Sequence, residues 1–147
     1  STPTPAAANI DNTVAPPPTA VVINELVAKA ADDGDDWLEL YNSGESEVDL
    51  SGWTVGDAGG DSYTLVDGTV LAAGAYLVLE KSAFDFGLGK ADSLTLKNLE
   101  GTWVDATSWV DGDAPKGSGW GRFPDGTGSF QTLTSPTKGT ENVVAGR

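Results

Sequence analysis

Two short stretches decide the fold of this chain: VVINELV at Val21–Val27 and WLELYN at Trp37–Asn42. The first is rich in β-branched residues, which favour strands because they pack well on a pleated surface. In the second, Leu38 and Leu40 alternate with larger or charged residues, a period of two that is typical of a strand with one face turned inward. Both stretches therefore predict strands, joined across a polar segment.

Short runs of the same kind continue along the rest of the chain, separated by turn residues. The predicted strands are Val48–Leu50, Trp53–Val55, Tyr63–Leu65, Thr69–Leu71, Tyr76–Leu79, Leu94–Lys97, Trp103–Trp109, Gly119–Phe123 and Phe130–Leu133. No window keeps a 3.6-residue apolar period, so we expect no long helix. Many short strands at close spacing indicate an all-β, antiparallel sandwich or barrel.

The composition excludes several classes of function. The 147 residues include 22 acidic and 8 basic side chains, a net charge of −14, and neither histidine nor cysteine. Without histidine there is no Ser-His-Asp triad, and without cysteine no disulfide or thiolate zinc site. An acidic chain repels phosphate backbones, and Lys81, Lys90 and Arg122 do not predict a basic patch, so no nucleic-acid binding is expected. A binding or structural module remains, or an enzyme that uses carboxylates alone.

The chain divides by composition into three parts. Residues 1–19 contain five of the eight prolines and predict a Pro/Thr/Ala-rich linker, with a domain-boundary remnant as the alternative. Residues 20–142 predict one domain, and residues 143–147 a C-terminal tail. No apolar stretch reaches about 18 residues, so we expect no membrane insertion, and we expect the isolated domain to be monomeric.

A series of motifs runs through the predicted domain in a fixed order. The motifs are Ile23–Glu25, Asp36–Asn42, Val48–Trp53, Leu71–Leu79, Phe86–Gly89, Asp92–Leu96, Gly119–Gly126 and Ser135–Gly139. In order and spacing they resemble the lamin-tail domain family over roughly residues 20–142. The resemblance implies an immunoglobulin-like antiparallel β-sandwich of the lamin-tail type.

The resemblance also implies a function and a location. Prokaryotic domains similar to this one are appended to exported or surface proteins, often beside nucleases or other hydrolases. They are regarded as adhesion or interaction modules, and no catalytic residues are attributed to them. The resemblance thus implies a non-catalytic module of a secreted or cell-surface prokaryotic protein, with a protein or surface glycan as its partner. It does not carry over filament assembly, because the coiled-coil rod of nuclear lamins is missing here.

The sharpest local feature is an acidic run in the loop that follows the first predicted strand. Ca²⁺ takes about six to eight oxygen ligands, and clustered aspartates on a turn supply several of them. The predicted calcium ligands are Asp32, Asp33, Asp35 and Asp36. The alternative is a solvated acidic turn whose aspartates bond to the local backbone. Weaker acidic turns of the same kind are Asp57 with Asp61 and Asp111 with Asp113.

Carboxylate catalysis requires two acids that flank the scissile bond. Glu25 and Glu39 lie on strands that are predicted neighbours, and they are the one pair worth considering. A structural or exposed role is favoured for both, because the small domain shows no sign of a cleft-forming loop. We therefore do not expect an enzyme, and no cofactor is predicted beyond the calcium ion.

The chain contains five tryptophans, whose aromatic faces can stack on sugar rings. Trp37, Trp53 and Trp120 lie within the family motifs and are expected in the core. Trp103 and Trp109 are separated by an even number of residues, so on a regular strand they share one face. An exposed pair there would make the domain a carbohydrate-binding module, which is the alternative function.

Overall fold

The structure is a computed structural model that describes residues 20–28, 36–84, 87–89, 91–133 and 136–142. This part of the chain is built almost entirely of short strands, with one four-residue helix. The strands are β1 (Val21–Val27), β2 (Trp37–Asn42), β3 (Val48–Asp49), β4 (Thr54–Asp57), β5 (Ser62–Thr64), β6 (Val70–Leu71), β7 (Tyr76–Glu80), β8 (Asp92–Lys97), β9 (Trp103–Trp109), β10 (Gly119–Phe123) and β11 (Ser129–Leu133); the helix is α1 (Lys81–Phe84).

The strands form three antiparallel sheets. The five-stranded sheet has the order β11-β10-β1-β2-β7, the four-stranded sheet has the order β5-β4-β8-β9, and β3 pairs with β6. Apolar side chains from both large sheets meet in one buried core, among them Leu38 and Leu40 of β2 and Leu94 and Leu96 of β8. The prediction of an all-β, immunoglobulin-like antiparallel sandwich is confirmed, and among the described residues no helix is longer than α1.

The bend before β4 shows how local sequence turns an aromatic side chain into this core. Gly52 has a φ of +78°, a left-handed conformation that is open to glycine at no steric cost. Trp53 follows directly and is buried at 6% exposure. Trp37 is also buried, and Trp120 packs against the core, as expected for the tryptophans within the motifs.

Two strands contain a β-bulge, and each bulge re-aims a side chain. In β1, Ile23 pairs with Leu40 and Glu25 pairs with Glu39, so Asn24 is an extra residue without a partner on β2. In β9, Asp105 pairs with Leu96 and Trp103 with Lys97, which leaves Val104 as the extra residue. An inserted residue breaks the alternation of a strand, so side chains before and after it change faces relative to a regular strand.

An ion pair joins the two large sheets. Both carboxylate oxygens of Asp105 on β9 lie 2.9 Å from Nη2 of Arg122 on β10. Asp105 also accepts a 2.9 Å hydrogen bond from the backbone N–H of Ile23, and Arg122 Nε donates to the Ile23 carbonyl at 3.0 Å. The Arg122 side chain is therefore committed to structure.

None of the helices in the described part is long and apolar enough to cross a membrane.

Candidate functional site

Glu25 and Glu39 meet on the outer face of the five-stranded sheet. They pair directly with each other across β1 and β2, which were predicted to be neighbouring strands. The next pair along, Leu26 and Leu38, points into the core, so the two glutamates project to the opposite face. Both glutamates are nevertheless fully buried, at 0% exposure.

The segment of residues 136–142 covers this pair. Thr137 donates to the Glu25 carboxylate from its backbone N–H, at 3.2 Å to Oε2, and from its hydroxyl, at 3.1 Å to Oε1. The N–H of Gly139 donates to Glu39 Oε1 at 2.7 Å. Lys138 between them lies over the ring of Trp37, 5.6 Å from its centroid, and pairs with Glu80 at 2.6 Å. The segment thus forms a lid over the outer face of β2.

Asn24, the bulged residue of β1, links this pair to a third acid, Asp125. Its Nδ2 donates to Glu39 Oε2 at 3.1 Å and to Asp125 Oδ1 at 3.2 Å. Its Oδ1 accepts from the N–H of Gly126 at 3.0 Å, and the Tyr76 hydroxyl donates to the other Asp125 oxygen. We call the three acids Glu25, Glu39 and Asp125 the carboxylate cluster.

Burial raises the pKa of the two glutamates of the cluster. Desolvation raises the pKa of Glu25 to about 7, and the neighbouring charge of Glu39 adds to the rise. Desolvation likewise raises the pKa of Glu39 to about 7, against the lowering effect of hydrogen bonds from Asn24 and Gly139. Perturbed carboxyls often mark an active site, but structural networks produce the same shifts.

The geometry favours the structural alternative for this cluster. Each carboxylate oxygen of Glu25, Glu39 and Asp125 accepts a hydrogen bond from a protein group. A general acid or nucleophile must touch the substrate, and the two glutamates are closed off from solvent in this fold. The cluster therefore fastens β1, β2, the loop after β10 and residues 136–142 to one another.

A second feature lies on the outer face of the four-stranded sheet. A groove of about 390 Å³ opens there, and Trp103 lines it with its side chain 64% exposed. The polar residues that line the groove are Thr54, Asp57, Asp61, Ser62, Thr95 and Lys97. They come from β4, β5, β8 and the turn between β4 and β5, and they alternate with core residues such as Val55 and Leu96.

The prediction that Trp103 and Trp109 share one face is wrong. Trp109 is 3% exposed, and its indole N–H donates to the Gly89 carbonyl at 2.8 Å inside the fold. The bulge at Val104 lies between the two tryptophans, so their even separation puts them on opposite faces of β9. Trp109 is a core residue, and Trp103 alone is accessible for stacking.

The predicted calcium ligands fall largely outside the described part. Asp32, Asp33 and Asp35 belong to residues that the structure does not describe. Asp36 is described, and its Oδ2 accepts a 2.8 Å hydrogen bond from the N–H of Leu88. Within the ranges that the structure describes, no three acidic side chains lie in positions that could hold a metal ion. Calcium binding by the loop stays a prediction.

The two weaker acidic turns have local partners in the backbone. Asp57 Oδ1 accepts from the N–H groups of Gly59 at 3.0 Å and Asp61 at 2.9 Å. Asp113 Oδ2 accepts from the N–H of Val110 at 3.0 Å. These are the local side chain-to-backbone bonds by which aspartate stabilises a turn.

The fold and the site define a class of protein: a small immunoglobulin-like β-sandwich domain whose buried acids serve structure. The sequence profile of one family, the Lamin Tail Domain, matches residues 15–111. The chain belongs to the lamin tail domain family, which is generally non-catalytic. Strands β10 and β11 follow the matched range, and β10 pairs with β1 in the five-stranded sheet. A search of curated proteins finds no match to the chain.

Proposed function

We propose that this chain is a non-catalytic interaction module of an exported or cell-surface prokaryotic protein, and that it binds its partner through the outer face of the four-stranded sheet. The observation that carries the proposal is the exposure of Trp103, 64%, beside a groove of about 390 Å³. Tryptophan is enriched at the centres of binding surfaces because one rigid ring buries a large area. Family membership supports an interaction module of this kind.

The chain's charge and its first residues support the rest of the proposal. The Pro/Thr/Ala-rich composition of residues 1–19 is typical of a linker, which supports a position beside other domains, among which hydrolases and nucleases are expected. The net charge of −14 repels anionic polymers, so the partner is a protein or a surface glycan that is not strongly acidic. Calcium bound by Asp32, Asp33, Asp35 and Asp36 would relieve the repulsion among these four carboxylates and so stabilise the folded domain.

A catalytic role for the carboxylate cluster is not part of this proposal. Glu25 and Glu39 have 0% exposure, and both accept hydrogen bonds from residues 136–142. A substrate would reach them only after that segment had left the sheet. The substitutions Glu25→Gln and Glu39→Gln are therefore expected to change stability and to leave binding by the folded domain intact.

The proposed face is tested by placing a bulky charge in the groove. Thr95 points outward from β8 between Leu94 and Leu96, so Thr95→Arg would block the groove without entering the core. Thr127→Arg is the matched control, because Thr127 is exposed in the loop between β10 and β11. Binding would be measured on glycan and peptide arrays with the full chain. Equal binding by both variants would exclude the outer face as the binding surface.

A further inference from the structure

We propose that the groove beside Trp103 binds a neutral oligosaccharide, with the Trp103 indole stacked on one sugar ring. This inference rests on the proposed function, because it names the ligand class of the same face. Three properties of the groove support this inference: an exposed aromatic ring on a strand of the sheet, hydroxyls without a protein partner, and a lining that contains two carboxylates and one ammonium.

The aromatic ring lies where a sugar ring could stack on it. Trp103 is at the start of β9 and pairs with Lys97 of β8, so the backbone that carries it is part of a sheet. Its side chain is 64% exposed, although a tryptophan that lies against a sheet is usually mostly buried. The C–H face of a pyranose is apolar and matches the indole face, whose N–H stays available for a hydrogen bond.

Except for Asp57, whose Oδ1 accepts hydrogen bonds from the N–H groups of Gly59 and Asp61, the polar side chains of the groove are free to bind a ligand. Within the described ranges, the hydroxyls of Thr54, Ser62 and Thr95 make no hydrogen bond to another protein group. The same holds for the Asp61 carboxylate and the Lys97 ammonium, and in that part of the chain Lys97 forms no ion pair. Sugar hydroxyls both donate and accept, so this mixture of acceptors and donors suits them.

The shape and charge of the groove narrow the ligand further. Its volume of about 390 Å³ falls within the range of about 300–1,000 Å³ that is usual for small-molecule sites. Gly56 on β4 lines the groove without a side chain, and a Cβ added there would lie 3.2 Å from the Asp61 carbonyl oxygen. Two carboxylates and one ammonium in the lining disfavour an anionic polymer, and the hydroxyl-rich lining lacks the apolar pockets that anchor peptide side chains.

The test is a titration of the full, ¹⁵N-labelled chain with neutral oligosaccharides of β-glucan, mannan, galactan and xylan, followed by NMR. We expect the indole N–H signal of Trp103 to move with the amides of β4 and β8. The buried indoles of Trp53 and Trp109 are internal controls, and their signals should stay in place. Trp103→Ala should weaken binding by about tenfold or more, because the stacking surface is lost. Val110→Ala is the matched control, since Val110 is 65% exposed outside the groove.

The outcomes separate this inference from the proposed function. If millimolar concentrations of all four neutral oligosaccharides leave the spectrum unchanged, the inference is wrong. If peptides bind instead, and Trp103→Ala removes that binding, the inference is wrong but the outer face stands as the binding surface. If a ligand binds and neither Trp103→Ala nor Thr95→Arg weakens it, both are wrong.

Discussion

Glu25 and Glu39 lie directly opposite each other on neighbouring antiparallel strands, and both are completely buried beneath residues 136–142. Like charges in such a cross-strand pair destabilise a sheet when both are ionised. Here hydrogen-bond donors surround the pair, and the raised pKa of each acid favours its neutral form, which relieves that repulsion. The contribution of this pair to the stability of the fold therefore depends on pH.

The first prediction is that the domain loses stability as the pH rises towards neutrality. The ordinary pKa of glutamate is 4.5, and burial raises the pKa of Glu25 and of Glu39 to about 7 in the folded state. Between these values the folded state holds protons that the unfolded state has released, so the free energy of unfolding falls as the pH rises. We expect a loss on the order of 3 kcal/mol for each of the two acids between pH 4.5 and 7.5, measured by urea unfolding.

The variant Glu25→Gln should reduce that slope by about half, because one of the two buried acids no longer titrates. Glu45→Gln removes the same charge from an exposed position and serves as its control. The prediction fails if both variants keep the pH dependence of the original chain.

A second prediction concerns the space around Glu25. Gly119 lies so close to this side chain that a Cβ added there would overlap Oε2 and lie 3.3 Å from Cδ. Gly119→Ala should therefore lower the free energy of unfolding by about 1–3 kcal/mol, as overpacked cores do. Gly59→Ala is the control, since its Cβ would make ordinary contact with Asp57 Oδ1 at 3.5 Å. Thermal melting that gives equal losses for both variants would contradict the predicted clash.

Third, the Asp105–Arg122 and Glu80–Lys138 ion pairs should differ in their contribution to the free energy of unfolding. The Asp105 and Arg122 side chains are 14% and 17% exposed, and the pair holds the two large sheets together. Asp105→Asn is expected to cost about 1–3 kcal/mol, because it leaves a largely buried guanidinium without its charge partner. Glu80 and Lys138 are 47% and 44% exposed, so Glu80→Gln should cost less than about 1 kcal/mol. Urea unfolding would measure both, and the reverse order would refute the argument.

The fourth prediction tests calcium at Asp32–Asp36. A ligand that binds only the folded state raises its stability by mass action. If the loop binds calcium, the melting temperature should rise with millimolar Ca²⁺ and fall with a chelator. A double variant that combines Asp33→Asn and Asp35→Asn should remove that response, whereas the single variant Asp57→Asn should keep it. If the melting temperature of the original chain is the same with Ca²⁺ and with a chelator, the calcium hypothesis is wrong.

The strands and the sandwich could be predicted from the sequence because local signals specify them. The β-branched run at Val21–Val27 and the alternation of Leu38 with Leu40 both correspond to strands in the structure. What the alternation could not show is that the outer face of β2 is also covered. Glu39 looked like a solvated residue by its period, but residues 136–142, nearly one hundred positions later, bury it.

The two bulges made the placement of Trp109 and Asn24 unpredictable from the alternation in the sequence. A period of two assumes regular strands, and one inserted residue reverses every assignment beyond it. The bulge at Val104 therefore separated Trp103 from Trp109, and the bulge at Asn24 placed that amide beside the carboxylates. The family motifs did contain a signal for the position of Asn24. Three separate motifs contain Asn24, Asp125 and Thr137, and these residues meet around the carboxylate cluster.

The position of β1 sets the order in which the domain can be completed during its synthesis. β1 is the central strand of the five-stranded sheet, between β2 and β10, and Glu25 bonds to Thr137, which is 112 residues further along the chain. A growing chain that ends after Trp109 has one edge of β1 unpaired, and open edges invite pairing with other chains. Two later segments therefore complete the domain during synthesis: β10 pairs with the free edge of β1, and only after residues 136–142 have left the ribosome are Glu25 and Glu39 shielded from water.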